Sequence, residues 1–289
     1  MNLKVGYQHF WSDFNQNDNV FIWILRHKYN VIIDNNNPDL VISGGGSKRN
    51  GVKTVYFSGE PFFLSNEQFD DTCDFGMSGY HIDMPNYYRF PLYLYYIHNF
   101  IKNGIIKDMN FFFDERKLNP KTKFCNYIAR SLIGKRKDFF EKLNKYKKID
   151  TNVIPYTNIS VPGHGGSVQG SISKINFIRD YKFTIAFENS SIKNGLDGYT
   201  TEKLVEPMIA NSLPIYWGNT RISEDFNTNS ILSYFDYNND EELIDKIIEL
   251  DNNDDLYNNY FKEPFVTSKQ KTLLDIEYLI SIFDDILKN

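Results

Sequence analysis

Residues Phe183–Asn219 read FTIAFENSSIKNGLDGYTTEKLVEPMIANSLPIYWGN. The apolar run FTIAF has strand length, and a polar loop rich in Ser, Asn and Gly follows it. Leu204, Val205, Met208 and Ile209 then recur at the spacing of one helical face. A second apolar run, Leu213–Trp217, stops at Gly218. Strand, loop, helix, strand is a βαβ unit, and sheets built from such units take ligands at the carboxyl ends of their strands. The loop and helix start carry Glu188, Asn189, Tyr199, Glu202 and Lys203. Carboxylate, amide, phenol and ammonium groups thus gather where free backbone N–H groups also point. That set suits a phosphorylated, hydroxyl-rich ligand such as a nucleotide sugar. Pro207 lies inside the expected helix, removes one backbone bond and predicts a kink.

Upstream, residues 3 to 64 alternate short apolar runs with turn signals. Strands are expected at Lys4–Tyr7, Val31–Ile33, Asp39–Ile42 and Val52–Phe57, with a helix over Phe21–Arg26. The pattern predicts an α/β domain with a parallel sheet. Gly44-Gly45-Gly46 follows a strand but lacks the Lys-Ser/Thr of a P-loop and the G-x-G-x-x-G spacing, so a turn is the expectation. Glu60 sits in Ser58-Gly59-Glu60-Pro61 at the end of another strand, where this domain would face a cleft. Residues 98 to 122 lack clear periodicity, and Asn119-Pro120 is a turn signal. The expected division is 1–119, 120–270 and a C-terminal helix in 271–289. In the second part, KFCNYIA (Lys123–Ala129) reads as a strand. Lys135–Lys148 reads as a basic amphipathic helix with Phe139, Phe140, Leu143 and Tyr146 on its packing stripe. Glu241–Leu250 and Thr272–Leu287 are further amphipathic helices.

The chain has 289 residues, with length for one large or two small domains. Its 32 basic and 37 acidic residues give a net charge of −5, which offers no support for nucleic-acid binding. Cys73 and Cys125 are the only cysteines, too few and too far apart for a disulfide framework or a zinc site. The first residues, MNLKVGYQHFW, lack the apolar core of a signal peptide. No run reaches the ~18 apolar residues of a membrane span. A cytoplasmic location is the expectation, with peripheral membrane contact left open. Asn158 and Asn189 match the glycosylation pattern, as chance matches in an Asn-rich chain.

FENS, GYTTEK and LPIYWG, in this order, resemble the donor-binding signature of the α1,3/1,4-fucosyltransferases, although the intervening loop SSIKNGLD is longer than in that family. DTCDFGMSGY and the Arg-x-Pro-Leu-Tyr element at Arg89–Tyr93 are similar to the family's first domain. RKDFFEKLN, from Arg136, matches its pyrophosphate-binding helix, and Pro162–Gly170 its Gly-Gly-Ser segment. The resemblance implies a GT-B fold: two Rossmann-like domains facing a cleft, with a terminal helix returning to the first. It implies inverting transfer of fucose from GDP-fucose to an N-acetylglucosamine-containing glycan, most simply in α1,3 linkage. It also implies Glu60 as catalytic base, Arg136 as pyrophosphate ligand, and Asn189, Tyr199, Glu202 and Lys203 as donor contacts. Arg130-Ser131 stands where the family has Ser-Asn, so Arg130 rivals Arg136.

The chemistry is consistent with these roles. An acceptor hydroxyl needs a base, the leaving diphosphate needs positive charge, and the sugar must be held in line with the attacking oxygen. A guanidinium binds phosphate through paired hydrogen bonds, and an ammonium acts as a point charge. Glu202 would be repelled by phosphate and suits ribose or fucose hydroxyls. Glu188 is equally readable as a structural group bonding loop N–H donors, and His164 as a solvated loop residue. No Asp-x-Asp follows an apolar strand at the donor loop, so no metal and no other cofactor is expected. Two alternatives stay open: a GT-B transferase using another nucleotide sugar, or a non-catalytic glycan-binding remnant.

Overall fold

A computed structural model describes residues 1–60, 64, 66–116, 119–159, 168–192 and 195–289. By their contacts these residues form two units: Met1–Asn99 with Ile192–Tyr199 and Lys271–Asn289, and Phe100–Ser191 with Thr200–Gln270.

In the first unit the chain runs β1 (Asn2–Gln8), α1 (Val20–Leu25), β2 (Asn30–Ile33), β3 (Leu40–Ser43), β4 (Lys53–Ser58), α2 (Asn66–Thr72), β5 (Phe75–Ser78), β6 (Tyr87–Arg89) and α3 (Tyr93–Lys102). The strands form one parallel sheet in the order β2-β1-β3-β4-β5-β6. Val5 pairs with Leu40, and Ile42 with Val55. The predicted strands are all present, each within a residue or two of its expected ends. The helix α1 starts where Asn19 accepts hydrogen bonds from the Phe21 and Ile22 N–H groups. Its apolar residues are buried all round except Trp23, as a helix covered on more than one side requires. The triple glycine is a turn laid against the end of β1: a Cβ on Gly44 would meet the His9 carbonyl oxygen at 2.5 Å.

The second unit contains β7 (Lys123–Tyr127), α4 (Lys135–Tyr146), β8 (Asp150–Thr151), α5 (Val168–Ile178), β9 (Tyr181–Phe187), α6 (Glu202–Ile209), β10 (Leu213–Trp217), β11 (Leu232–Ser233), α7 (Asp240–Asn252) and α8 (Asp254–Asn259). Its parallel sheet has the order β11-β10-β9-β7-β8. The βαβ unit read from the sequence is present, with Phe183 paired to Leu213 and Phe187 to Trp217. Phe139, Phe140 and Leu143 of α4 and Leu243, Ile247 and Leu250 of α7 close the core over that sheet. Asn239 caps α7, and Asp240, Glu241 and Glu242 fill its first turn, where the helix dipole favours negative charge. Pro207 lies within α6.

The final helix, α9 (Ile276–Lys288), belongs to the first unit and packs on α1. It buries Leu279, Ile280, Ile282, Phe283 and Ile286. Its predicted start at Thr272 was early; Asp275 caps it by accepting from the Glu277 N–H.

The contacts divide the chain within α3 rather than at residue 119. Residues 100 to 116 join the second unit through long-range contacts. The Val266 N–H donates to the Phe112 carbonyl at 2.8 Å. The Arg116 guanidinium lies 4.1 and 4.0 Å from the ring centroids of Phe261 and Phe265, a cation held on aromatic faces. Among the described residues no helix is long and apolar enough to cross a membrane.

Candidate active site

The carboxyl ends of β7 and β9 and the start of α6 form one cluster in the second unit. Glu188 follows β9 and is fully buried. Its carboxylate accepts from the Thr201 N–H at 2.7 Å and from the Thr201 hydroxyl at 2.8 Å. Thr201 is the N-cap of α6 and accepts from the Lys203 N–H. Glu188 therefore anchors the start of α6, the structural role the sequence left open. The fit is close: a Cβ on Gly218 would lie 2.5 Å from the Glu188 Cγ. The carboxyl end of β10 thus has room for this carboxylate only with glycine at 218.

Lys203 reaches Glu202 at 3.2 Å and Glu188 at 3.7 Å, with its side chain 16% exposed. Burial works against its charge, but Glu202 and Glu188 outweigh burial and raise its pKa. Burial also pushes the Glu202 carboxyl up; Lys203, then Lys174, outweigh that and hold it below the usual range. For Glu188 burial wins against Lys203 and Thr201, and the carboxyl is pushed up to about 7.

A carboxyl whose pKa is higher folded than unfolded adds stability that is complete below the unfolded value of 4.5 and is lost as pH rises through about 7. The effect is on the order of 3 kcal/mol. The melting temperature should fall between pH 5 and pH 8, and Glu188→Gln should flatten that fall. Parallel melting curves of the two proteins would contradict the assignment.

Arg136 lies in the first turn of α4, 7% exposed. Its guanidinium donates to Asn189 Oδ1 at 3.0 Å and to the Ser131 hydroxyl at 3.1 Å. The charges of Arg136 and Lys203 both act on Tyr127, the buried last residue of β7. Burial raises the Tyr127 phenol, and first Arg136 and then Lys203 pull it back. Arg136 through Asn189 and Lys203 through Glu188 are tied to consecutive residues beyond the end of β9. Arg130, the rival, is exposed.

Glu60 and Tyr199 lie in the first unit. Glu60 is exposed just beyond β4, adjoining β5. Tyr80, beyond the end of β5, is buried, and its phenol is pushed up to about 12 by burial and by the Glu60 charge. The Tyr80 and Tyr199 rings lie 6.5 Å apart, nearly parallel. The loop Ile192–Tyr199 joins this unit through the His81 N–H, which donates to the Asp197 carbonyl at 2.8 Å. The sequence placed that loop with the donor helix alone. His164 and most of the glycine-rich loop lie outside the described residues. Among the described residues no group of three or more His, Cys, Asp or Glu is placed to hold a metal.

Sequence reading passed over Tyr127, Ser131, Thr201, Lys174 and Glu206 as site residues. Thr201 had a legible signal, a threonine directly before the first helical residue. So did Glu206, one turn beyond Glu202 on the same helical face.

Comparison with known proteins adds a family. Residues 118–273 match the sequence profile of glycosyltransferase family 10 (fucosyltransferase), C-terminal part. Residues 5–96 match that of the α-(1,3)-fucosyltransferase FucT N-terminal domain. A putative fucosyltransferase of Acanthamoeba polyphaga mimivirus is 33% identical over 170 residues, covering 57% of this chain and 28% of that protein. The α-(1,3)-fucosyltransferase FucT of Helicobacter pylori is 25% identical, covering 99% of this chain and 66% of that protein. The chain thus spans less than two thirds of the length of these curated relatives. Crystal structures of α1,3-fucosyltransferase with GDP-fucose and with GDP share the fold. Each has a TM-score of 0.76, at 22% and 23% identity, covering 100% of this chain and 91% of theirs. The chain therefore belongs to glycosyltransferase family 10, the fucosyltransferases.

Proposed function

We infer that this chain transfers fucose from GDP-fucose to a hydroxyl of an N-acetylglucosamine-containing glycan, in α1,3 linkage. The observation that carries this reading is that Arg136 of α4 hydrogen-bonds Asn189 while Lys203 of α6 lies 3.7 Å from the adjacent Glu188, so two cations from separate helices meet consecutive residues beyond β9, beside Glu202. A diphosphate needs two such cations, and the carboxylate and amide offer partners for sugar hydroxyls. The α1,3-fucosyltransferase structures that hold GDP-fucose or GDP share this fold, which supports the choice of donor.

In this reading the acceptor oxygen attacks the anomeric carbon of fucose while the bond from that carbon to the β-phosphate oxygen breaks. Glu60 takes the hydroxyl proton, and GDP leaves with the bonding pair. A single displacement inverts the anomeric centre. Arg136 and Lys203 carry the charge that grows on the leaving diphosphate, where oriented cations act most strongly. No step calls on a metal, and the sequence expectation of none is kept as part of the proposal.

The test is incubation with GDP-fucose and N-acetyllactosamine. The expected result is one fucosylated product per GDP released, with its linkage read by NMR. Binding of the glycan without GDP-fucose turnover would favour a binding remnant. Turnover with a different nucleotide sugar alone would overturn the donor.

A further inference from the structure

Behind Glu202 stands a charge pair that no donor motif contains. Glu206 follows Glu202 by four residues on α6, so the two carboxylates lie on one face of the helix. Like charges at that spacing are unfavourable. The Glu206 side chain is 1% exposed, and the Lys174 ammonium, from α5, closes on it as an ion pair with its own side chain 16% exposed. Ser171, about one turn before Lys174 on α5, is buried as well. The face of α5 carrying Ser171 and Lys174 is thus turned to this carboxylate. The charged groups facing Glu202 are Lys203 and Glu206 of its own helix, Lys174 of α5, and Glu188 beyond β9.

A buried ion pair adds little net stability, because desolvation offsets its attraction; what it fixes is arrangement. This pair neutralises the carboxylate nearest Glu202 along the helix. It also leaves Lys203 to serve Glu202 and the donor. We propose that Lys174, paired with Glu206, is a positioning residue that holds Glu202 as a charged acceptor for the donor's sugar hydroxyls. This rests on the donor reading of Glu202 above.

The test measures GDP-fucose affinity by calorimetry across pH 5 to 8, without acceptor, for the intact chain and three variants. Lys174→Met removes the cation and leaves Glu206 unpaired. Glu202 then holds its proton to higher pH, so the acidic loss of binding should move up by about one pH unit, with affinity about two- to fivefold below that of the intact chain at pH 5 and unchanged at pH 8. Lys174→Arg should restore the wild-type profile. Lys174→Met combined with Glu206→Gln removes both charges at nearly constant shape and should recover most of the affinity. This double variant also guards against misfolding of the single one. Wild-type binding together with a Lys174→Met profile unchanged at every pH would overturn the pairing alone. So would a double variant as impaired as the single one. A wild type that binds no GDP-fucose would overturn the donor reading, and this role with it.

Discussion

Glu60→Gln is expected to lower kcat by roughly 10²–10⁴-fold while leaving GDP affinity nearly unchanged. The substitution keeps size and hydrogen bonding and removes basicity. A loss confined to the transition state appears in kcat and kcat/KM together. The structure adds a constraint. Glu60 is exposed beyond β4, and its charge is felt by the buried Tyr80 phenol. That phenol stays neutral with or without the charge, and Glu60 is exposed, so the variant should be close to the parent in stability. The measurement is single-turnover transfer from GDP-fucose, beside GDP titration and a thermal melt. Near wild-type turnover would remove Glu60 as the base.

Arg136→Ala should weaken GDP by ~1.5–3 kcal/mol, the range for hydrogen bonds to charged groups. The guanidinium is nearly buried and already oriented by Asn189 and Ser131, so little ordering remains to oppose binding. Arg136→Lys should recover only part of the affinity, since an ammonium cannot donate the paired bonds. Lys203→Ala should weaken GDP by a similar amount. It should also cost about 3–5 kcal/mol of stability, because Glu188 and Glu202 lose their common cation. Calorimetry and melting curves read these separately. Unchanged GDP affinity in both alanine variants would sink the phosphate assignment.

The parallel strands, the βαβ unit and the terminal helix were legible because short apolar runs and helical periodicity are local signals. Their pattern from Phe183 to Trp217 alone marks strand, helix and strand. The residue types of the donor cluster were legible too, but their partners were not. Nothing in the sequence says that Glu188 is wholly buried or that Thr201 supplies both its donors. Arg116 looked like part of a polar run, yet its charge rests on two rings that lie far along the chain. Lys174 carries no motif at all. Its meaning depends on which face of α5 meets α6, a matter of packing rather than of spacing along one helix.

The membership of Ile192–Tyr199 in the first unit has a consequence for how the polypeptide can be divided. The chain passes from one unit to the other at Asn99, at Ser191, at Tyr199 and again at Gln270. No single cut separates them. A fragment spanning 120–270 would carry Gly198 and Asp197 without the Gly79–His81 stretch they pack on. During synthesis these contacts must await both halves, and closing so long a loop is entropically late. Chimeras that exchange whole halves between relatives would have to carry this loop with its N-terminal partner.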